Sequence, residues 1–260
     1  MKRLTLIVSV IALFACVAYG QTEPDYSAWT SVLKKYYDPA KGMDYAALKA
    51  GDAATIQKLR QDLGKVNVAA LNKKQQQAYW MNLYNINVIG TIIENYPVKS
   101  IRDISTDFLK FNVFKTPRVP FGSGKISLND IENDKIREGF KDPRIHFAIN
   151  CAAKSCPPLR TEAFVGDRVD AQLDDQARNF LNGPLGARFS KKGNTLEIRT
   201  TKIMSGGFWF GKDFENWGGG KAAFIRRYVP AEKQKMIDDA KGKIDFDYDD
   251  YNWELNDWKR

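Results

Sequence analysis

The chain has 260 residues, 43% hydrophobic and 12% aromatic, with a formal net charge of +9. That composition belongs to a globular chain rather than a disordered one. Its basic excess is spread among 31 acidic residues instead of gathered in a block, which reads as solubility and argues against nucleic acid as a partner.

The first stretch, MKRLTLIVSVIALFACVAYGQ, sets Lys2 and Arg3 before an apolar run from Leu4 to about Ala18, followed by small residues. This is the layout of a signal peptide over 1–20, with the cut after Ala18-Tyr19-Gly20. A competing reading makes Cys16 the acylated residue of a lipoprotein. The bulk of Phe14 and the apolar residues beyond Cys16 weigh against it. No later stretch approaches the roughly 20 apolar residues of a membrane span. The expectation is an exported protein, periplasmic or secreted and not transmembrane, with one domain over 21–260. Loss of Lys2 and Arg3 lowers its charge to about +7, which still suits an anionic envelope component.

Residues 25–64 read as short helices. Trp29, Val32, Leu33 and Tyr36 fall at helical spacing, Pro39 and Gly42 interrupt, and GMDYAALKA and TIQKLRQDLG follow, the latter closed by Gly64. The strongest helix spans 72–97, NKKQQQAYWMNLYNINVIGTIIENYP, ending at Pro97. Asn82, Asn85 and Asn87 are unusual in so apolar a helix. They either bond to neighbouring loops or point into a site, where an amide could orient an imidazole or hold an oxyanion. FLKFNVFKTPRVPFGSGKISL predicts a hairpin turning at Gly122-Ser123-Gly124, weakened by Pro117 and Pro120. Ser127 caps a helix with Asp130 in its first turn. Residues 170–183 predict an amphipathic helix, 195–200 a strand and KAAFIRRYV another helix. The aromatic segment 208–217 predicts a packed loop.

The segment RIHFAINCAAKSCPPL, residues 144–159, holds the only histidine, His146, with Cys151 and Cys156 at five-residue intervals. Removal of Cys16 with the leader would leave an even pair of cysteines in an oxidising compartment. Alternation over 144–151 predicts a strand with Ile145, Phe147, Ile149 and Cys151 on one face and His146 on the other. At ~3.3 Å per residue, that strand holds His146 roughly 17 Å from Cys151. Cys156 can meet His146 only if residues 152–155 turn the chain back. A short helix from Pro157, with Lys154 and Arg160 nearby, would lower its thiol pKa and favour a thiolate. The opposing reading is a Cys151–Cys156 disulfide, worth about 2 kcal/mol in the chain-entropy picture. Redox exchange is weaker, since exchange motifs usually place their thiols two residues apart. Metal binding is weakest, with three ligands at most.

Taken together, AYWMNLYN, YPVKSIRDI, KISLNDIEN, DPRIHFAINCAAKSCPPL and DYDDYNWELN resemble the bacterial members of the domain-of-unknown-function 547 family, over about 25–256. The resemblance implies no established biochemistry. It implies an asparagine-bearing helix followed by a histidine-bearing strand, similar to the papain/transglutaminase arrangement, and fold analogy alone does not assign function. The family's pattern usually reads Ile-Glu-His where this chain has Ile131-Glu132-Asn133. If the absent histidine is the family's base, this chain is a damaged member; if His146 is, nothing essential is lost, and Glu132 becomes a candidate orienting carboxylate.

The sequence therefore predicts an α+β domain, with helices on a small antiparallel or mixed sheet that includes 144–151. Its leading functional expectation is a thiol-dependent amide hydrolase or acyl transferase acting on a peptide or amide. Cys156 would be the nucleophile, His146 the base, and Asn82 or Asn85 the orienting or oxyanion-binding group, with no cofactor required. The alternative is a non-catalytic cell-envelope binding module with a Cys151–Cys156 bridge and 208–217 as its contact surface.

Overall fold

A computed structural model describes residues 22–105, 112–207 and 209–258; the expected leader with Cys16, and Phe208 of the aromatic segment, lie outside them. Helix α1 (Ser27–Tyr36) buries Trp29, Val32, Leu33 and Tyr36, the stripe that its spacing requires. A two-residue ladder, β1 (Tyr37–Asp38) with β2 (Gly42–Met43), leads into α2 (Tyr45–Gly64). The two short helices expected over 43–64 are thus one helix with a break at Asp52 (φ −134°, ψ 24°). There the Asp52 carboxylate accepts from the Tyr36 hydroxyl at 2.7 Å and from Lys35 at 2.9 Å.

Helix α3 (Lys73–Asn95) opens on a capping box, Asn72 with Gln75, and is buried continuously from Gln77 to Ile93. A helix covered on every side needs apolar residues all round, which is why its sequence shows no clean polar face. The expected hairpin is shorter than its sequence suggests. Its first residues, 108–111, lie outside the described ones; among those described, Asn112–Lys115 form a helical turn, α4, and β3 (Val119–Phe121) pairs with β4 (Gly124–Ile126). Local bonds claim the donors a ladder would need: Val113 N–H donates to Ser105 Oγ at 2.8 Å and Thr116 N–H to the Asn112 carbonyl at 2.8 Å. Ser127 caps α5 (Leu128–Asp130) as expected, its Oγ accepting from Asp130 N–H at 3.0 Å. The helix continues through a π-helical stretch, Ile131–Arg137, into α6 (Glu138–Phe140).

The expected strand over 144–151 is absent. Pro143–Phe147 is a 3₁₀ turn capped by Asp142, which accepts from Arg144 N–H at 3.0 Å, and the chain beyond it is irregular. Asp142-Pro143 supplies both a cap and a residue preset for a first turn. Apolar alternation misleads here because Ile145, His146 and Phe147 are all buried. The short helix expected from Pro157 is also absent. Helix α7 (Val169–Leu181) follows, then β5 (Arg188–Lys192) antiparallel to β6 (Thr195–Thr200). Helices α8 (Gly211–Glu215), α9 (Gly220–Tyr228) and α10 (Ala231–Asp239) precede β7 (Ile244–Tyr248), which pairs parallel to β6. The chain is α+β, with small antiparallel and mixed sheets at its margins. Among the described residues no helix is long and apolar enough to cross a membrane.

Two apolar clusters form the interior. One surrounds α3 and holds Ile145; the other holds Phe147, Phe180, Phe214 and Phe224. His146 falls between a residue of each. The C-terminal tail ties this region down. Lys154 N–H donates to the Glu254 carbonyl at 2.8 Å, Asn256 N–H to Ala152 at 3.0 Å, and Met43 N–H to Asn256 at 2.9 Å. Gly42 (φ +97°) permits the crossing, since a Cβ there would lie 2.1 Å from the Asn256 carbonyl oxygen.

Candidate functional site

The site is assembled from segments far apart in the chain. The π-helical stretch supplies Glu132, Asn133 and Arg137 to the lining of a cavity of about 720 Å³; α3 adds Tyr84, α4 Lys115, the 3₁₀ turn His146, the following loop Cys151 and Cys156, and the stretches 203–212 and 251–253 most of the rest. π-Helical insertions are rare and recur at functional sites, because the extra residue re-aims the side chains after it.

The loop is shaped by asparagine. Asn85, on α3, donates from Nδ2 to the Ala148 carbonyl at 3.0 Å and accepts from Asn150 N–H at 2.9 Å. Asn150 in turn donates to the Pro157 carbonyl at 2.7 Å and accepts from Ala152 N–H at 2.7 Å. Ala152 takes a left-handed backbone (φ 64°) and the chain doubles back. Cys151 and Cys156 meet there as a disulfide. The return over 152–155 that the sequence left conditional therefore occurs. Asn82 clamps the next segment likewise, donating to the Phe164 carbonyl at 2.8 Å and accepting its N–H at 3.0 Å. Asn87 accepts from Arg60 Nε at 2.8 Å and donates to the Leu83 carbonyl at 2.8 Å. The three amides bond to backbone and to Arg60; none of these bonds runs to the imidazole.

The group on the imidazole is Asp213, whose Oδ2 lies 2.7 Å from His146 Nε2. A carboxylate at this site can only accept, so Nε2 carries the hydrogen and Nδ1 is a bare acceptor. That Nδ1 is buried with no partner among the described residues, in a residue only 2% exposed. Phe210 stacks on the ring at 4.3 Å, and burial lowers the His146 pKa against the opposing pull of Asp213, leaving the ring neutral near pH 7. Burial also raises Asp213, but the hydrogen bonds from His146 and from Arg137 outweigh it and hold the carboxyl well below the usual range. Arg137 grips it with Nε at 2.7 Å and Nη2 at 2.9 Å. With the imidazole neutral, the cation opposite Asp213 is Arg137.

Glu132 stands apart from this pair. It accepts from the Tyr84 hydroxyl at 3.3 Å, and its pKa is pushed up to about 7 by burial, with Arg137 and Tyr84 opposing. The residue keeps some accessible surface, but that surface opens onto the cavity rather than the bulk. Asn133 donates to the Asn129 carbonyl at 3.1 Å and accepts from Arg137.

Beside the disulfide stands Tyr251, its hydroxyl 3.1 Å from Cys151 Sγ and 3.0 Å from Cys156 Sγ. Its ring packs 4.7 Å from Trp209 and 4.7 Å from Trp253, giving the cavity an aromatic wall. The cations expected to acidify Cys156 are engaged elsewhere: Lys154 pairs with Glu254, and Arg160 with Glu162 and Asp175. The separation of His146 from the cysteines by strand phase is also overturned, since all three line this one cavity. Asp213, Arg137 and Tyr251 escape a reading by motif. The one available signal is an acid among the aromatics of 208–217, and a tyrosine in the conspicuously aromatic tail. Among the described residues no three His, Cys, Asp or Glu side chains are grouped to hold a metal.

Fold and site together define an α+β protein with an aromatic, disulfide-walled cavity lined by a buried histidine that a half-buried aspartate holds from behind. Residues 68–181 match the family described as "Protein of unknown function, DUF547", and the chain resembles that family over this stretch. The match takes in α3, the π-helical wall, His146 and both cysteines, whereas Asp213, Trp209, Tyr251 and Trp253 lie beyond it. No curated protein and no solved structure matches the chain.

Proposed function

We propose that this chain is an exported binding module of the cell envelope and that the cavity holds its ligand. The observation that carries the reading is the unpartnered Nδ1 of His146 in a cavity walled by Trp209, Tyr251 and Trp253. A buried acceptor without a donor costs about 1–3 kcal/mol, and a ligand N–H or O–H would offset that. Lys115 and Lys212 add positive charge to the same lining, Arg137 being paired with Asp213, so the ligand class is an amide-bearing molecule with a carboxylate and a face that stacks on aromatic rings. With its sulfurs joined, Cys156 has no thiolate to attack with. Titration of the oxidised protein with carboxylate-bearing envelope glycopeptides, followed by tryptophan fluorescence, is expected to show saturable quenching that Trp209→Ala removes. Affinity unchanged in Trp209→Ala, or no quenching across the panel, would sink the reading.

A second reading is favoured by one arrangement: Cys156 and His146 line the same cavity, and Asp213 holds the far nitrogen of the ring. In the reduced protein Cys156 would attack an amide carbonyl. His146 would take its proton at Nδ1 and pass it to the leaving amine, with Asp213 in the orienting role. Asn82 and Asn85 would then act by holding the loops around the site. Turnover seen only after reduction, and abolished in Cys156→Ala, is its signature; equal rates in oxidised and reduced protein would count against it.

A further inference from the structure

The two sulfurs differ in their surroundings. Cys156 is 6% exposed, and its Sγ accepts from Cys151 N–H at 3.0 Å while the Tyr251 hydroxyl lies 3.0 Å away. Cys151 is half-buried, and the Tyr251 hydroxyl lies 3.1 Å from its sulfur. A disulfide sulfur has no hydrogen to give, so Tyr251 is the donor; its single O–H is shared between the two sulfurs, while the Cys151 N–H is aimed at Cys156 alone. Hydrogen bonds to sulfur are weak while the sulfur is neutral and strengthen when it carries charge. Donors already aimed at one sulfur therefore favour its departure as thiolate.

We propose that Cys151–Cys156 is an exchange-active disulfide whose substrate is a low-molecular-weight thiol, with Cys151 the attacked sulfur and Cys156 the leaving one. The incoming thiolate forms a bond to Cys151 Sγ as the Cys151–Cys156 bond breaks. Cys156 departs with the electron pair and is received by the Tyr251 hydroxyl and the Cys151 amide. A second small thiolate attacks the small-molecule sulfur of the mixed disulfide and frees Cys151. Two small thiols are oxidised to their disulfide, the protein bridge gains two electrons, and the two protons the small thiols lose end on the cysteines. Reaction rate depends on which sulfur is reached and on how well the leaving thiolate is stabilised, and the asymmetry of the site sets both. Exchange proceeds whether or not the cavity holds a ligand, and it is the route by which the sulfurs become thiols.

The test exposes the full, oxidised chain to glutathione, quenches with acid and N-ethylmaleimide, and maps the peptides. Glutathione is expected on Cys151 and maleimide on Cys156, in folded protein. Tyr251→Phe is expected to slow bridge opening about tenfold, the scale of one hydrogen bond to a charged acceptor. It should also raise the pH at which Cys156 of the reduced protein becomes reactive toward iodoacetamide. A loosened fold would expose the bridge and speed its opening, so slowing cannot come from structural damage. Glutathione on Cys156, a bridge that opens only in denaturant, or an unchanged rate in Tyr251→Phe would each overturn the proposal. Ligand binding by the oxidised protein is read separately through Trp209, so either inference can fail alone.

Discussion

Helix α3 and the cavity both bury polar side chains, and they treat them differently. On α3, the carbonyl and amino groups of Asn82 and Asn85 are both engaged with a backbone partner. In the cavity, His146 keeps one nitrogen unpaired, Glu132 has a pKa near 7, and the disulfide has a hydroxyl waiting beside it. Complete pairing marks groups that specify a fold. An unpaired atom is not by itself a site, since Thr91 Oγ1 on α3 also lacks a partner among the described residues; one that lines a cavity leaves room for a partner from outside.

The contrast can be broken most severely on the helix. Asn85→Leu strips the Ala148 carbonyl and the Asn150 N–H of their partners, and at about 1–3 kcal/mol each the urea midpoint should fall by the equivalent of about 4 kcal/mol. A smaller loss, matching a surface substitution, would mean that water replaces the clamp. Asp213→Ala comes next, at about 2–3 kcal/mol, because Arg137 is left half-buried without its counter-charge. A pH signature accompanies it. The Asp213 carboxyl is depressed in the folded state, so its stabilisation is present above the ordinary carboxylate range and is lost as pH falls toward the lowered value. Asp213→Ala lacks that contribution throughout, and its acid limb below about pH 4 should be shallower than that of the parent, as read by circular dichroism. Replacing both Cys151 and Cys156 by serine should cost about 2 kcal/mol, measured by the same urea titration.

The smallest effect sharpens the comparison on the cavity side. Glu132 is raised from 4.5 to about 7, so its proton stabilises the folded state fully below pH 4.5, and that stabilisation is lost as pH climbs through 7. Discounted for water admitted to the cavity, the loss is about 1 kcal/mol. Glu132→Gln should flatten the stability profile over that window, as thermal melts in matched buffers would show. An unchanged slope would place the carboxyl in ordinary contact with water.

Much of the scaffold was legible in the sequence. The Ser127 cap, the run of apolar residues along α3, and the alternation of β6 are local signals, each set by bonds within a few residues. The misreadings share one cause. Period-two alternation over 144–151 suggested a strand, but alternation reports a face only when the other face meets water, and here both sides are covered. The disulfide was legible as one of two open alternatives, since an even cysteine count cannot say whether 152–155 turns back. Asp213 and Tyr251 were legible only as an acid and a tyrosine in aromatic-rich stretches, with no sign of what they meet. They reach His146 and the sulfurs from 67 and up to 100 residues away in sequence, by contacts that no local pattern records.

By itself the sequence determined several of the helices, the Ser127 cap, the family likeness and most of the short list of groups able to do chemistry. Secondary structure follows from hydrogen bonds and side-chain periodicity within a turn or two. Only the tertiary structure decided which of those groups meet. The tail pins residues 152–156 so that the sulfurs join, the 3₁₀ turn aims His146 at a cavity, and a distant aspartate fixes its tautomer. Proximity of this kind depends on chain segments far apart in sequence being buried against one another, and burial is a property of the whole packed molecule.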